Sequence, residues 1–358
     1  MISRDEMLEL FKDYREVTVA TLGSHSALQI LKGAKDEGFK TLAICKTGRS
    51  SIYKRFRVAD DIITVGDYRD MLQEDVLEKL RDKGCVLVPH GSLVAYLGTE
   101  SVEKELSVPL LGNRGILRWE ADRKLERQWL EKAGVEMPNE NKDPKDISVL
   151  SIVKFPGARG GRGYFLVNNY SDFEHKSREM LRKKRISRED LENVTIQDYI
   201  AGVNMYISYF YSPLQEEVEL FGMDRRYEAN IDGLTRIPAA EQSDYVEPSY
   251  VVVGNTPLVA RESLLEKVLE MGDNLTKVSK EIAPPGMIGP FCLETMVTRN
   301  LKFIAFEISA RIVAGTNPYM DGSPYSYILH GANMSMGRRI AVELKNALKD
   351  GKEELLIT

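Results

Sequence analysis

Cysteine is too scarce here for a disulfide framework: three in 358 residues, with Cys45, Cys85 and Cys292 each alone in an apolar run rather than at metal-knuckle spacing. A reducing, cytoplasmic setting is the simplest expectation. No apolar run reaches 18 residues, and the opening MISRDEMLELF lacks the apolar centre of a secretion signal, so neither a membrane span nor export is expected. Positive charge is not in excess. With 49 Lys and Arg against 54 Asp and Glu, the net charge of −5 sets up no general field for nucleic acid or an anionic membrane. Also missing are a GxSxG nucleophile elbow, a GK[ST] phosphate loop and a strand–GxGxxG–helix fingerprint. What remains is an ordinary globular mixture, 43% hydrophobic and 29% charged, long enough for two or three domains.

The most informative stretch is 152–165, IVKFPGARGGRGYF. An apolar run delivers Lys154 into a turn carrying Gly157, Gly160, Gly161 and Gly163 with Arg159 and Arg162 among them, and a second apolar run follows. Two strands joined by a cationic, glycine-rich loop fit this order. Glycines let backbone N–H groups approach an anion while Lys and Arg add charge, so a phosphate-rich ligand is expected.

Upstream, strands are predicted over 17–22, 41–45, 62–65 and 86–88, with helices over 27–38 and 72–83, and Ser3 with Glu6 reads as a capping box. This alternation predicts a parallel sheet covered on both faces. Ligands of such sheets sit at the carboxyl ends of the strands, where GSHS (23–26) and PHGS (89–92) each place His and Ser beside Gly. Arg49, Lys54, Arg55 and Arg57 either reach that mouth or are solvated. An amphipathic helix is expected over 119–133, with Leu125, Trp129 and Leu130 inward. The basic run near 176–188 is flanked by Glu174, Glu179, Glu189 and Asp190 without interleaved aromatics, and reads as a solvated helix face. Strands over 205–210, 218–221 and 250–253 follow, the second ending in the polar Asp224-Arg225-Arg226-Tyr227-Glu228 and the third in Gly254-Asn255.

Strands over 291–297 and 301–308 form a hairpin around Arg299-Asn300. A two-residue turn at Asn300-Leu301 sets Glu294 opposite Glu307, about 5 Å apart on one face. Like charges so placed are costly unless one is protonated or a cation bridges them. Oxygen-only ligands favour Mg²⁺ or Mn²⁺, with substrate phosphates completing the shell. Arg311 would meet a phosphoryl group on the same face. A cationic loop for phosphates and a carboxylate pair for a metal together make a magnesium–nucleotide site.

With TLGSHSAL, VPHGS, VKFPGARGGRGYF, GMDRRYEANIDG and FEISARIVAGTN in view, the chain resembles the ATP-grasp superfamily along essentially its whole length. Within it, the resemblance is to the archaeal formate-dependent ligases of purine synthesis, the 5-formaminoimidazole-4-carboxamide ribonucleotide synthetase family. The resemblance implies a three-part α/β and α+β fold. Its parts are a parallel N-terminal acceptor-binding domain (1–118), a central lobe (119–196) and a C-terminal lobe with the metal site (197–358). It implies ATP as cosubstrate and formylation of 5-aminoimidazole-4-carboxamide ribonucleotide (AICAR) by formate, with ADP and phosphate released. Formyl phosphate would be the intermediate, and the product would serve purine (IMP) synthesis. It further implies that His25, Ser92 and Asn255 contact the acceptor. Lys154 and its loop would meet the phosphates, Gln197, Asp198, Tyr199 and Ile200 would form the adenine hinge, and Glu228 would belong to the ATP site. Glu294 and Glu307 would hold the metal, and a homo-oligomer is expected. Three positions depart from the wider superfamily: Asn204 stands where a ribose-binding Glu is common, Ser309 where a metal-side Asn is frequent, and Arg123 where an early nucleotide-binding Lys is usual. A paralogous ligase with another carboxylate or amine, or a non-catalytic nucleotide sensor, are the competing readings.

Overall fold

The computed structural model describes residues 2–155, 164–229, 231–238, 242 and 251–358. Strands β1 (Thr18–Leu22), β2 (Lys40–Lys46), β3 (Asp61–Val65) and β4 (Cys85–Leu87) form an all-parallel sheet in the order β3-β2-β1-β4. Every residue of β1 is buried, as expected of a strand covered on both faces. Around it run α1 (Arg4–Lys12), α2 (Ala27–Asp36), α3 (Ser51–Phe56), α4 (Glu74–Asp82), α5 (Gly91–Leu97) and α6 (Thr99–Lys104). The Ser3/Glu6 capping box is present at the start of α1. Arg49, Lys54, Arg55 and Arg57 are exposed on and around α3.

The single helix expected over 119–133 is two, α7 (Arg114–Ala121) and α8 (Arg123–Lys132). Asp122 causes the break. Its backbone is extended, and its carboxylate accepts hydrogen bonds from the N–H groups of Lys124 and Leu125, capping α8. Trp129 of α8 is fully buried against the helix Leu265–Ile282, donating its indole N–H to the Leu275 carbonyl at 3.0 Å.

A small antiparallel sheet, β6-β5-β7, comprises β5 (Ser151–Lys154), β6 (Phe165–Val167) and β7 (Thr195–Asp198). Its core of Val153, Phe155, Val167 and Ile196 packs Phe173, Met180 and Leu181 of the helix Tyr170–Arg182. On that helix and just beyond it, Arg178 and Lys183 pair with Glu174 and Glu179, as a solvated face requires.

The larger sheet is antiparallel, β10-β9-β8-β11-β12, built from β8 (Val203–Ser212), β9 (Glu217–Glu228), β10 (Val252–Leu258), β11 (Gly289–Val297) and β12 (Phe303–Ser309). Residues 224–228 form the polar end of β9, as expected. One expectation is corrected here: Asn255, expected at the end of a strand over 250–253, lies in the middle of β10, which runs on to Leu258. Met205, Ile207, Met223 and Leu293 face a core shared with α8 and Leu265–Ile282. Among the described residues no helix is long and apolar enough to cross a membrane.

The two large parts interlock through α2 and the helix Met336–Asp350. A Cβ on Gly33 would stand 2.1 Å from the Arg338 nitrogen, and one on Gly337 2.1 Å from the Gln29 carbonyl oxygen. The helices therefore touch backbone to backbone. Arg338 and Lys345 close the contact with ion pairs to Glu37 at 2.8 and 3.1 Å.

Candidate active site

Side chains alternate faces along a strand, so the register of the five-stranded sheet decides which of its residues can meet. Glu294 pairs with Tyr206, and Tyr206 with Asp224; Asn255 pairs with Arg226. Asn204, Asp224, Arg226, Glu228, Asn255 and Glu294 consequently share the face opposite the hydrophobic core. Glu307 joins them, directly opposite Glu294.

The hairpin reaches that pairing by a different route from the one the sequence suggested. Its tip is a three-residue loop, Arg299, Asn300 and Leu301, with Leu301 left-handed at φ 60° and the Thr298 N–H bonded to the Lys302 carbonyl. Near the tip, Val297 pairs with Phe303 and Thr295 with Ala305. Phe306 is then an extra, bulged residue, and Glu307 comes back opposite Glu294. Without the bulge Glu307 would lie opposite Leu293, towards the core. Phe306 stands edge-on to Tyr206, with the Lys154 ammonium 5.9 Å from its ring centre.

Glu294 is fully buried and Glu307 exposed. The Arg226 guanidinium bonds Glu294 Oε1 and stacks over Tyr206, 4.3 Å from the ring centre. Burial pushes the Glu294 carboxyl up to about 8; Arg226 opposes the shift and the charge of Glu307 adds to it. Two buried atoms in this region, Glu294 Oε2 and Ser309 Oγ, have no hydrogen-bond partner. Unpartnered hard oxygens beside a second carboxylate suit Mg²⁺ or Mn²⁺ with further ligands from substrate. Among the described residues no three His, Cys, Asp or Glu cluster as a complete protein-only site.

Two acids that sequence reasoning did not select approach β12 from α7 and α8. Glu120 accepts the Ala310 N–H at 2.8 Å and pairs with Arg311 at 2.9–3.0 Å; Glu126 accepts the Ile308 N–H at 2.7 Å. Burial raises the pKa of both, and the charge of Glu307 adds to the shift. Their only trace in the sequence is Asp122, whose capping chemistry marks the break that turns both acids onto the strand.

Between α8, the small sheet and β12 lies a cavity of about 330 Å³, lined among others by Arg123, Glu126, Lys154, Gln197, Phe306 and Glu307. Burial, with Arg123 nearby, lowers the Lys154 pKa. Gln197 donates to Glu140 at 3.0 Å and leaves its own Oε1 buried without a partner. Asp198, Tyr199 and Ile200 follow it outside the cavity lining, as do Asn204, bonded to the Tyr206 hydroxyl at 3.3 Å, and Glu228, whose N–H meets Asp232 at 2.6 Å. Gly157, Arg159, Gly160, Gly161, Arg162 and Gly163 lie outside the described residues.

The serine–histidine clusters meet at the other end of β12. His90 is fully buried: its Nε2 lies 3.0 Å from the Leu22 carbonyl and its Nδ1 accepts the Ser92 N–H at 3.2 Å. That pattern fixes the neutral tautomer with hydrogen on Nε2, and burial holds the pKa down at about 4. Stacked on it at 5.3 Å is His25, exposed at the cleft, left-handed at φ 53°, and bonded through Nδ1 to the Ser26 hydroxyl at 2.8 Å. Surrounding atoms, His90, Arg311 and Arg226 hold the His25 pKa below the usual range. Ser92 donates to the Ser24 hydroxyl at 3.0 Å. Gly91 makes the junction possible, because a Cβ there would sit 3.1 Å from His25 Nε2 and 3.3 Å from the Arg311 guanidinium. A parallel bridge between His90 and Ile312 joins the two sheets at this point. β12 and the residues after it thus link the parts in order: Arg311 beside His25 and Gly91, Glu307 opposite Glu294, and Glu307 with Phe306 and Lys154 at the cavity.

Family comparison supplies the context. Residues 172–358 match a domain of unknown function, DUF1297, and 19–141 match a protein of unknown function, DUF1246. A protein of Methanocaldococcus jannaschii named 5-formaminoimidazole-4-carboxamide-1-(beta)-D-ribofuranosyl 5'-monophosphate synthetase is 52% identical over 98% of both chains. The crystal structure of an IMP biosynthesis protein PurP from Thermococcus kodakaraensis superposes with a TM-score of 0.74 at 34% identity, covering 95% of this chain and 100% of that one. The biotin carboxylase domain of the Hydrogenobacter thermophilus 2-oxoglutarate carboxylase, crystallised with MgADP, shares the fold at 15% identity, with a TM-score of 0.63 over 90% of this chain and 69% of that one. The parallel N-terminal sheet and the two antiparallel sheets flanking the cavity are the ATP-grasp arrangement, and the chain belongs to the 5-formaminoimidazole-4-carboxamide ribonucleotide synthetase family of ATP-grasp ligases.

Proposed function

We propose that the chain joins formate to AICAR at the expense of ATP, releasing ADP and phosphate. The observation that carries this reading is an arrangement of side chains: a buried carboxylate with a free oxygen, opposite a second carboxylate, lies between a lysine-bearing cavity and a histidine–serine–arginine cluster. ATP occupies the cavity, with Gln197 towards the base and Lys154 towards the phosphates, a ligand that the cationic, glycine-rich sequence at 157–163 also suits. Glu294 and Glu307 hold Mg²⁺ or Mn²⁺, which when bound neutralises charge on the phosphoryl oxygens. The synthetase name of the M. jannaschii relative and the MgADP of the biotin carboxylase support ATP and a divalent metal as the ligands.

Formate oxygen attacks the γ-phosphorus, forming formyl phosphate as the bond to the ADP oxygen breaks. The 5-amino nitrogen of AICAR then attacks the formyl carbon, the amine loses a proton, and phosphate leaves. Formate alone is a poor acylating agent; the mixed anhydride has a good leaving group. Lys154 and Arg311 offset charge during phosphoryl transfer, and His25, Ser92 and Asn255 hold the ribonucleotide. His25 acts as a neutral hydrogen-bonding group, since its surroundings disfavour the imidazolium.

Incubation with ATP, Mg²⁺, labelled formate and AICAR is expected to yield labelled formyl product, ADP and phosphate in equal amounts. Glu294→Gln is expected to cut kcat roughly 10²–10³-fold, the scale of losing one transition-state charge partner. An intact fold without labelled product rejects the reading. Turnover that accepts other carboxylates in place of formate points to a paralogous ligase.

A further inference from the structure

Asp224 lies on the polar face two strands from Glu294, and nothing above gives it a task. Its side chain is buried, with Oδ2 accepting a hydrogen bond from Asn255 Nδ2 at 2.8 Å and Oδ1 without any partner. The close packing of this carboxylate has an identifiable cause. A Cβ on Gly315 would stand 2.0 Å from Asp224 Oδ1, so glycine at 315 leaves the space that the carboxylate fills. Burial pushes the carboxyl up to about 6, with Asn255 and Arg226 opposing, so the ionised form prevails at neutral pH. An ionised carboxylate only accepts hydrogen bonds, and it therefore dictates which end of the asparagine amide faces it. The NH₂ group faces the carboxylate, which leaves the amide oxygen for another donor. Asn255 itself is half-buried, opposite Arg226 in the ladder.

We infer that Asp224 is a positioning residue for acceptor recognition: by holding the Asn255 amide nitrogen, it presents the amide oxygen to an N–H group of the amine-bearing ribonucleotide. The inference rests on the functional reading above, with Asn255 at the acceptor, and adds the direction of its hydrogen bond. A substrate with a carbonyl in place of that N–H meets oxygen against oxygen and is rejected.

A double-mutant cycle tests it, using Asp224→Asn, Asn255→Ala and the pair. KM for AICAR, KM for ATP, kcat and calorimetric binding of AICAR and ADP are measured in the full chain. Asp224→Asn frees the amide to turn and is expected to raise KM for AICAR on the order of tenfold. KM for ATP and ADP binding stay unchanged. In the Asn255→Ala background the same substitution adds less than about twofold, because its route of action is gone. Gly315→Ala approaches the contact from the other side and is expected to give the same AICAR-selective loss with ADP binding retained. Additive penalties, or equal losses for ATP and AICAR, overturn the assignment. If the unsubstituted chain neither binds nor formylates AICAR, the functional reading fails and the assignment falls with it; turnover with an additive cycle rejects the assignment alone.

Discussion

His90 shows what a single residue costs and supplies. The PHGS motif reads as a ligand-binding cluster, but the histidine in it spends both ring nitrogens on the Leu22 carbonyl and the Ser92 N–H. Its role is to hold the two strand ends together and to provide the flat surface on which His25 lies. Sequence cannot separate the two histidines, because each follows a strand and precedes a serine; only the depth of burial distinguishes them. Depth also has a pH consequence. With the folded pKa near 4 and the unfolded value near 6.5, the unfolded chain binds more protons between those limits. Stability is therefore fully present above pH 6.5 and falls as pH drops towards 4, by about 3 kcal/mol at full protonation. Denaturant unfolding at pH 7 and pH 4.5 is expected to show this loss in the native chain and a smaller one in His90→Gln.

Among the elements, β12 was the most legible and its surroundings the least. A two-residue turn at Asn300-Leu301 is what sets Glu294 opposite Glu307 in the sequence; the pairing is found, but the turn is one residue longer and would by itself place Glu307 opposite Leu293. A bulge at Phe306 compensates, and no propensity argument foresees a bulge whose extra residue is set by packing against Tyr206 and Lys154. Glu120 and Glu126 were hidden for a different reason. On one continuous helix they point about 120° apart, and only the break at Asp122 brings both to the open edge of the sheet. There they satisfy alternate N–H groups of an edge strand, a task otherwise left to water or another chain. Glu126→Gln keeps an acceptor for the Ile308 N–H and is expected to retain stability. Glu126→Ala leaves that N–H unpaired and is expected to cost about 1–3 kcal/mol. Thermal unfolding of the two variants side by side measures the difference.

At the scale of the molecule, the sequence announced a parallel unit followed by antiparallel hairpins, each from local periodicity. It gave no sign of how they join, because Gly33 and Gly337 are 304 positions apart and neither lies in a turn. Their backbone contact seats the first sheet on the last helix and so brings His25 to Arg311. Gly337→Ala is expected to force the helices apart, destabilising the chain by about 1–3 kcal/mol. It is also expected to raise KM for AICAR more than KM for ATP, because the cluster of His25, Ser92 and Arg311, proposed to hold the acceptor, spans that joint. Steady-state kinetics with each substrate varied in turn reads the asymmetry. β12 and the residues just after it touch every part of the site: Phe306 lines the cavity, Glu307 faces the buried acid, and Arg311 and Ile312, past the strand's end, meet the histidine pair. From Glu307 to Arg311 is about 13 Å of extended chain at most. On the proposed reaction, a formyl group activated beside Glu307 and an amine held beside Arg311 would be no farther apart than that length, so the residues that make a water-sensitive anhydride would also bound the distance it travels.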